Sequence, residues 1–127
     1  MANPSDRKYH PEHTWAQVEG DLARIGITDF AQDQLGDIVF VDLPSPGGRL
    51  TQGQSFGTVE SAKTVSDLIA PVSGEIVEVN SALDDDPETV NHDPYGDGWM
   101  VVVKLTDTGE LDSLLSADGY EQAIQDE

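Results

Sequence analysis

The stretch FGTVESAKTVSDLIAPVSG, residues 56–74, places Lys63 between two short apolar runs. A lysine there could be a solvated charge, a Schiff-base nucleophile or an attachment point for a prosthetic group. Most lysines are solvated charges. A nucleophilic lysine needs an apolar pocket or a neighbouring cation to release its free amine. Because Glu60, Ser61, Ser66 and Asp67 favour the charged ammonium instead, the sequence disfavours Schiff-base catalysis.

Attachment of a prosthetic group requires that the lysine be exposed and held by a rigid turn, so that a modifying enzyme can reach it. The run GTVE enters the Lys63 turn and SDLIAP leaves it, so the sequence predicts a hairpin over about residues 54–72. Lys63 is expected at its tip. An amide-linked group there would have a long, flexible tether.

The N-terminal half of the chain predicts one hairpin and one helix. Residues 15–27 hold two apolar runs around Gly20, which suits a turn with positive φ. In TDFAQDQLG, Thr28 or Asp29 can cap a short helix, Gln32 suits a capping box, and Gly36 can end the helix.

Further short strands follow this helix. DIVFVDLP predicts a strand buried on both faces, with almost no polar residue. In GEIVEVN, Val77 and Val79 are expected on one face and Glu78 on the other. Residues 81–98 predict a loop. WMVVVKL then predicts a strand whose inward residues are Val101, Val103 and Leu105.

A faint internal repeat relates two of these strands. GDIVFVDLP at 36–44 resembles GEIVEVNSA at 74–82, and each precedes a turn-rich stretch and a second strand. Two such hairpin units predict a mostly β, quasi-symmetric sandwich or flattened barrel. Leucines at helical spacing predict one or two helices over about residues 109–125. The 127 residues are expected to form a single domain, 1–127.

The composition excludes several classes of partner. The formal net charge is −19, with 25 acidic residues against six lysines and arginines, so nucleic acid and membrane partners are not expected. Two explanations of the acidity stay open: adaptation to concentrated salt, which the spread from Asp6 to Glu127 favours, or an acidic face that docks partners. With no cysteine, no secretory or transit peptide and no membrane span, a cytoplasmic protein is expected.

No metal site is predicted. The run DDDPE with NHDPYGDG is acidic, but it lacks the ligand spacing and central glycine of a calcium-binding loop. The three histidines, His10, His13 and His92, are dispersed, with no glutamate at the spacing of a metal motif.

Taken together, ESAKTVSD, the preceding GITDFAQDQLGDIVFVDLP and the following VNHDPYGDGWM closely resemble the H proteins of the glycine cleavage system. The resemblance runs from about Tyr9 to the C-terminal GELDSLLSADGYEQAI. It implies a lipoyl carrier of the lipoyl/biotinyl type, with lipoate amide-linked to Lys63. Biotin carriers usually flank their lysine with methionines, whereas Ala62 and Thr64 stand here.

By this resemblance the protein is not an enzyme and has no catalytic residue. It would carry an aminomethyl group from the pyridoxal-phosphate enzyme glycine decarboxylase to aminomethyltransferase, which uses tetrahydrofolate. Dihydrolipoamide dehydrogenase would then reoxidise the arm. A lipoate ligase or octanoyltransferase would attach the arm to a carrier that is expected to be a monomer. The alternative is a relay protein that donates lipoyl or octanoyl groups to other complexes.

Three further residues of the hairpin, Glu60, Ser61 and Asp67, are predicted to take part in its recognition. A groove that shields the loaded arm from water is expected near the hairpin, with Glu60 or Asp67 and the N-terminal segment as candidates. Both acids could instead only shape and solvate the turn. The family usually has an acid before its N-terminal tryptophan, where this chain has Thr14; Glu12 lies nearby.

Overall fold

The computed structural model describes residues 6–125, which form two antiparallel β-sheets with short helices around them. The strands are β1 (Lys8–Tyr9), β2 (Thr14–Glu19), β3 (Leu22–Ile27), β4 (Ile38–Asp42), β5 (Arg49–Leu50), β6 (Ser55–Ser61), β7 (Val65–Ile69), β8 (Gly74–Val79) and β9 (Val101–Leu105). The α-helices are α1 (Asp29–Leu35), α2 (Ala82–Asp85), α3 (Thr89–His92) and α4 (Ala117–Gln125), and a 3₁₀ helix covers Thr108–Ser113.

The large sheet has six strands in the order β1-β2-β3-β9-β8-β5, and the small sheet has three in the order β4-β6-β7. The mostly β fold is confirmed. Of the two architectures left open by the sequence, residues 6–125 form two separate sheets and no closed barrel. The two hairpin units correspond to β4 with β6 in the small sheet and β8 with β9 in the large one.

The N-terminal hairpin, helix α1 and both helix ends are confirmed, but the capping box is not: Thr28 is the N-cap, and the Gln32 amide donates to the Asp29 side chain at 2.8 Å. β2 and β3 pair from Thr14 opposite Ile27 to Glu19 opposite Leu22, and Gly20 in the turn has φ of 63°. Thr28 caps α1, because its hydroxyl accepts a hydrogen bond from the Ala31 N–H at 3.2 Å. Gly36 ends the helix with φ of 80°, a conformation that favours glycine.

The interior is divided into three apolar clusters. One lies on the large sheet and includes Ile25, Ile76 and Val103, and a second joins the small sheet to α2, α3 and Met100. The third is aromatic and consists of Tyr9, Trp15 and Tyr120, none of which has any exposed surface. The second cluster matters most for the Lys63 hairpin, because it holds the small sheet in place.

The prediction that DIVFVDLP forms a strand buried on both faces is wrong for β4. Ile38 and Val41 are buried, but Val39 and Phe40 are 50% and 52% exposed, so the strand is not buried on both faces. The cause is a register shift against β6 between Ile38 and Phe40. Such an irregularity breaks the alternation of faces, and two consecutive side chains therefore point to solvent.

The predicted alternation of faces in β8 is also wrong, for the same reason. Val77 was expected on one face with Val79 and opposite Glu78, but Val77 and Glu78 are both exposed while Ile76 is buried. A register shift against β9 falls between Ile76 and Glu78. The repeat seen in the sequence therefore extends to the same backbone irregularity in both sheets.

In the C-terminal half, some predicted elements are confirmed and others differ from the structure. The predicted loop over residues 81–98 contains the single-turn helices α2 and α3. The C-terminal helices are confirmed as the 3₁₀ helix and α4, but Leu114 and Leu115 lie between them and outside both. Val101, Val103 and Leu105 are buried on one side of β9, as predicted. Within residues 6–125, no helix is long and apolar enough to cross a bilayer.

Candidate functional site

Lys63 lies at the tip of the β6–β7 hairpin, in a turn that Ser61 organises. The Ser61 N–H donates to the Thr64 carbonyl at 2.8 Å. The Ser61 hydroxyl accepts from the Lys63 and Thr64 N–H groups at 3.3 and 3.1 Å. Only 5% of Ser61 is exposed, so its role is to fix the turn from inside while Lys63 itself is exposed.

The tip is also attached to the junction between α1 and β4. The Ala62 N–H donates to the Asp37 carbonyl at 3.0 Å. The Lys63 side chain lies beside Gly36, where a Cβ would be 3.5 Å from the Lys63 Cε and 3.9 Å from its Nζ. The base of the side chain is therefore held on a fixed backbone, although its amine remains accessible.

Asn91, on α3, braces the same junction from the interior. Its amide donates to the Gly36 carbonyl at 2.8 Å and to the Gln32 side chain at 3.0 Å. Its side-chain oxygen accepts from the Ile38 N–H at 2.9 Å. The backbone that supports Lys63 is thus tied to a distant part of the chain.

A cavity of about 350 Å³ opens beside this tip, between α1, the free edge of β7 and the N-terminal segment. Its apolar lining comes from Ile27, Phe30, Ala31, Leu35, Val59 and Leu68. Its polar lining comes from Glu12, His13, Thr14, Gln34, Ser66 and Asp67. A mostly apolar lining with a few polar groups is the usual composition of a small-molecule site.

The N-terminal wall of the cavity has a defined conformation. His13 has φ of 74°, which is uncommon for a residue with a Cβ, and its Nδ1 is hydrogen-bonded to the Tyr120 hydroxyl at 2.7 Å. The Tyr120 hydroxyl also lies 2.8 Å from the Thr28 hydroxyl at the start of α1. Helix α4 therefore holds two sides of the cavity together.

Thr14 and Glu12 have different surroundings in this wall. Thr14 is 1% exposed, and its hydroxyl donates to the Ile69 carbonyl at 2.8 Å, which joins the two sheets. Glu12 is exposed, and its N–H donates to His10 Nδ1 at 3.0 Å. Burial lowers the pKa of His10, which keeps Nδ1 free to accept that bond. Glu12 thus supplies the wall with a carboxylate that Thr14 lacks.

The structure separates the other predicted hairpin residues. Asp67 lines the cavity, together with the N-terminal segment. Glu60 does not line it; Glu60 is exposed on the outer face of the small sheet, where it pairs with Phe40 and Val65. Phe30 and Leu35 also line the cavity and were not predicted as site residues, since their spacing on α1 also suits ordinary core packing. Across residues 6–125, no cluster of three histidine or acidic residues could hold a metal.

Fold and site together define a small two-sheet β protein that presents an exposed lysine on a tight hairpin turn beside an apolar cavity. A family model of the glycine cleavage H-protein matches residues 7–127. The chain belongs to this glycine cleavage H-protein family.

Known H proteins resemble this chain in both sequence and structure. The chain is 54% identical to a glycine cleavage system H protein of Geobacillus sp. (strain WCH70) over 126 residues, which is 99% of each protein. It is 56% identical to that of Halalkalibacterium halodurans over the whole of both chains. A crystal structure of the H protein from Mycobacterium marinum is 49% identical, has a TM-score of 0.89, and matches 97% of this chain and 99% of that one.

Proposed function

We propose that this chain is the lipoyl-bearing carrier of the glycine cleavage system, with residues 1–127 as one carrier domain and lipoate on Lys63. It would take an aminomethyl group from glycine decarboxylase to aminomethyltransferase and be reoxidised by dihydrolipoamide dehydrogenase. A lipoate ligase or octanoyltransferase would attach the arm. The carrier would be a cytoplasmic monomer that performs no catalysis of its own.

The observation that supports this proposal best is the position of Lys63. Its amine is exposed, its backbone is fixed by Ser61 and by the bond from Ala62 to Asp37, and the rest of its turn offers no competing lysine. A rigid turn keeps the amine in one place for an acylating enzyme, and little flexibility must be lost on binding. The same turn would later give the arm a fixed pivot.

The residues around Lys63 suit a lipoyl group. Amide formation would remove the lysine charge, so that an uncharged chain could lie along an apolar wall. Leu35 in that wall immediately precedes Gly36, beside which the Lys63 side chain lies. When bound, the lipoyl group would supply a disulfide that can accept the aminomethyl group.

The chain's own contribution would be to shelter the loaded arm. Phe30, Leu35 and Leu68 would exclude water from its apolar part. Glu12 and Asp67 line the cavity, and their carboxylates would attract a terminal ammonium group. Glu60 and Ser61 would serve recognition of the hairpin, Glu60 by direct contact and Ser61 by fixing the turn.

The test is the exchange of labelled CO₂ into the carboxyl of glycine, catalysed by glycine decarboxylase with this protein as the only carrier. The lipoylated protein should support exchange, and the same preparation without lipoate should not. If the lipoylated protein fails to support exchange but donates its acyl group to the lipoyl domain of a 2-oxoacid dehydrogenase, the relay role replaces the carrier role.

A further inference from the structure

The two copies of the strand repeat follow the same path, with one difference in side chains. Both β4 and β8 have a register shift that leaves two consecutive residues exposed: Val39 and Phe40 in the small sheet, Val77 and Glu78 in the large one. Valine stands first in both pairs. In the second position, the small sheet has an aromatic side chain where the large sheet has a carboxylate.

The cross-strand neighbours extend this difference. In the small sheet, Phe40 pairs with Glu60, and Glu60 pairs with Val65, which is 60% exposed. In the large sheet, the matching row places an apolar residue between two charges and consists of Glu78, Val102 and Arg24. The small sheet therefore carries apolar groups at both ends of its exposed row, and the large sheet carries charged groups.

The fold does not require this exposed apolar surface. Val39, Phe40 and Val65 belong to none of the three apolar clusters of the interior. The backbone at Phe40 also accepts a glutamate, since Glu78 occupies the equivalent position. One exposed apolar residue is ordinary, but several together on an otherwise strongly acidic surface indicate a contact site.

The position of this row points to the kind of partner. Glu60 precedes Lys63 by three residues and Val65 follows it by two, so the row lies next to the tip. Carboxylates surround it, from Asp42 on β4 to Asp67 on β7, and Lys63 is the sole basic residue within strands β4, β6 and β7 and the β6–β7 turn. A complementary surface would be an apolar depression with arginines or lysines at its rim.

We propose that Val39, Phe40 and Val65 form the docking patch for the enzyme that acylates Lys63, an inference that rests on the function proposed above. In that reaction the neutral Lys63 amine attacks the carbonyl carbon of an activated acyl donor. A C–N bond forms, the bond to the adenylate or thiol leaving group breaks, and the amine loses its proton. The enzyme must bring this chemistry to Nζ itself, so it has to contact the hairpin around its tip. The enzymes that later act on the far end of the arm have no such requirement.

The test measures acylation of the full-length protein by a lipoate ligase supplied with lipoate and ATP. The double variant Val39→Ser/Phe40→Ser removes the part of the docking patch that lies on β4, and the matched control Val77→Ser/Glu78→Ser alters the equivalent residues on β8. The patch variant should show a rise in the apparent KM for the carrier of about 10- to 100-fold, since an aromatic anchor at an interface commonly contributes that much. Its kcat at saturation should change little, and the control should match the unaltered protein.

Thermal unfolding of both variants verifies that the fold is kept. Acylation of the patch variant at the parental KM would overturn the proposal. It would also be overturned if the patch variant, once loaded by excess ligase, lost glycine exchange while its acylation kinetics stayed normal, because the patch would then serve the decarboxylase. Failure of the proposed function has a different signature: the unaltered protein would not be acylated, or would support no exchange once loaded.

Discussion

Two connections of very different length meet at Gly36, Asp37 and Ile38, the backbone beneath Lys63. The β6–β7 turn holds Asp37 through a single hydrogen bond from Ala62. The connection between β8 and β9, residues 80–100, holds both neighbours of Asp37 through Asn91. The short turn exposes its residues, whereas the long connection buries Leu83, Val90 and Met100 against the small sheet. One connection presents the lysine, and the other keeps its support rigid.

The residues that serve function and those that serve stability therefore lie in different segments of the sequence. The turn residues 62–64 are all exposed and add little to the core, so they are free to serve recognition. The long connection has no role in the proposed chemistry, yet its side chains determine where the tip lies. Substitutions in the two regions should therefore have opposite effects on activity and on stability.

The largest difference is expected for Lys63→Arg. Arginine keeps the charge at an exposed site but cannot form the lipoyl amide, so glycine exchange should be abolished while the melting temperature stays the same. Lys104→Arg, at an exposed position on β9, is the matched control and should retain full activity. Exchange supported by purified, unlipoylated Lys63→Arg protein would refute the tether role.

The reverse pattern is expected for Leu83→Ala in the long connection. Leu83 is 1% exposed, and truncating it leaves a cavity that should cost about 2–5 kcal/mol of unfolding free energy. Val39→Ala, at an exposed position of β4 outside both connections, is the control and should change the unfolding free energy by less than about 0.5 kcal/mol. Urea denaturation of both variants measures the contrast, and equal losses would mean that the long connection does not carry the support.

A smaller effect is expected for Asn91, which joins the two regions. Asn91→Ala leaves the Ile38 N–H and the Gly36 carbonyl without their partner and should cost about 1–3 kcal/mol. Asn91→Asp keeps the acceptor for Ile38 but loses both donated bonds. Amide hydrogen exchange at Ile38 should accelerate in the alanine variant more than in the aspartate variant. Equal exchange in both would show that Asn91 does not hold this amide.

The smallest effect per residue is expected from charge screening. The long connection contains six of the 25 acidic residues and no lysine or arginine. The Debye length falls from about 30 Å at 0.01 M salt to about 3 Å at 1 M, so repulsion among these carboxylates should weaken across that range. If the acidity is an adaptation to salt, the melting temperature should keep rising into multimolar sodium or potassium chloride. A flat profile would assign the acidity to partner docking.

Local signals in the sequence predicted the elements that depend on local chemistry. Thr28 and Gly36 marked both ends of α1, and Gly20 marked the first hairpin. The register shifts in β4 and β8 have no such signal, because a bulge depends on pairing with a distant strand. Val39, Phe40 and Val77 were therefore assigned wrongly.

The same distinction between local and long-range signals applies to the candidate site. The Lys63 turn lies within one short stretch of sequence, and the residues around it were enough to predict a hairpin tip. The cavity beside it is built from Glu12, α1 and the edge of β7, which only the tertiary fold brings together. Asn91 was missed for the same reason, since its partners are more than 50 residues away.

Presentation of Lys63 by the short turn for lipoylation has one direct test. The full-length protein would be isolated from cells with an active lipoylation route and examined by peptide mass mapping. The lipoyl mass should appear on the peptide that contains Lys63, while Lys8 and Lys104 remain unmodified. Lipoate on either of those lysines with Lys63 bare would contradict the account.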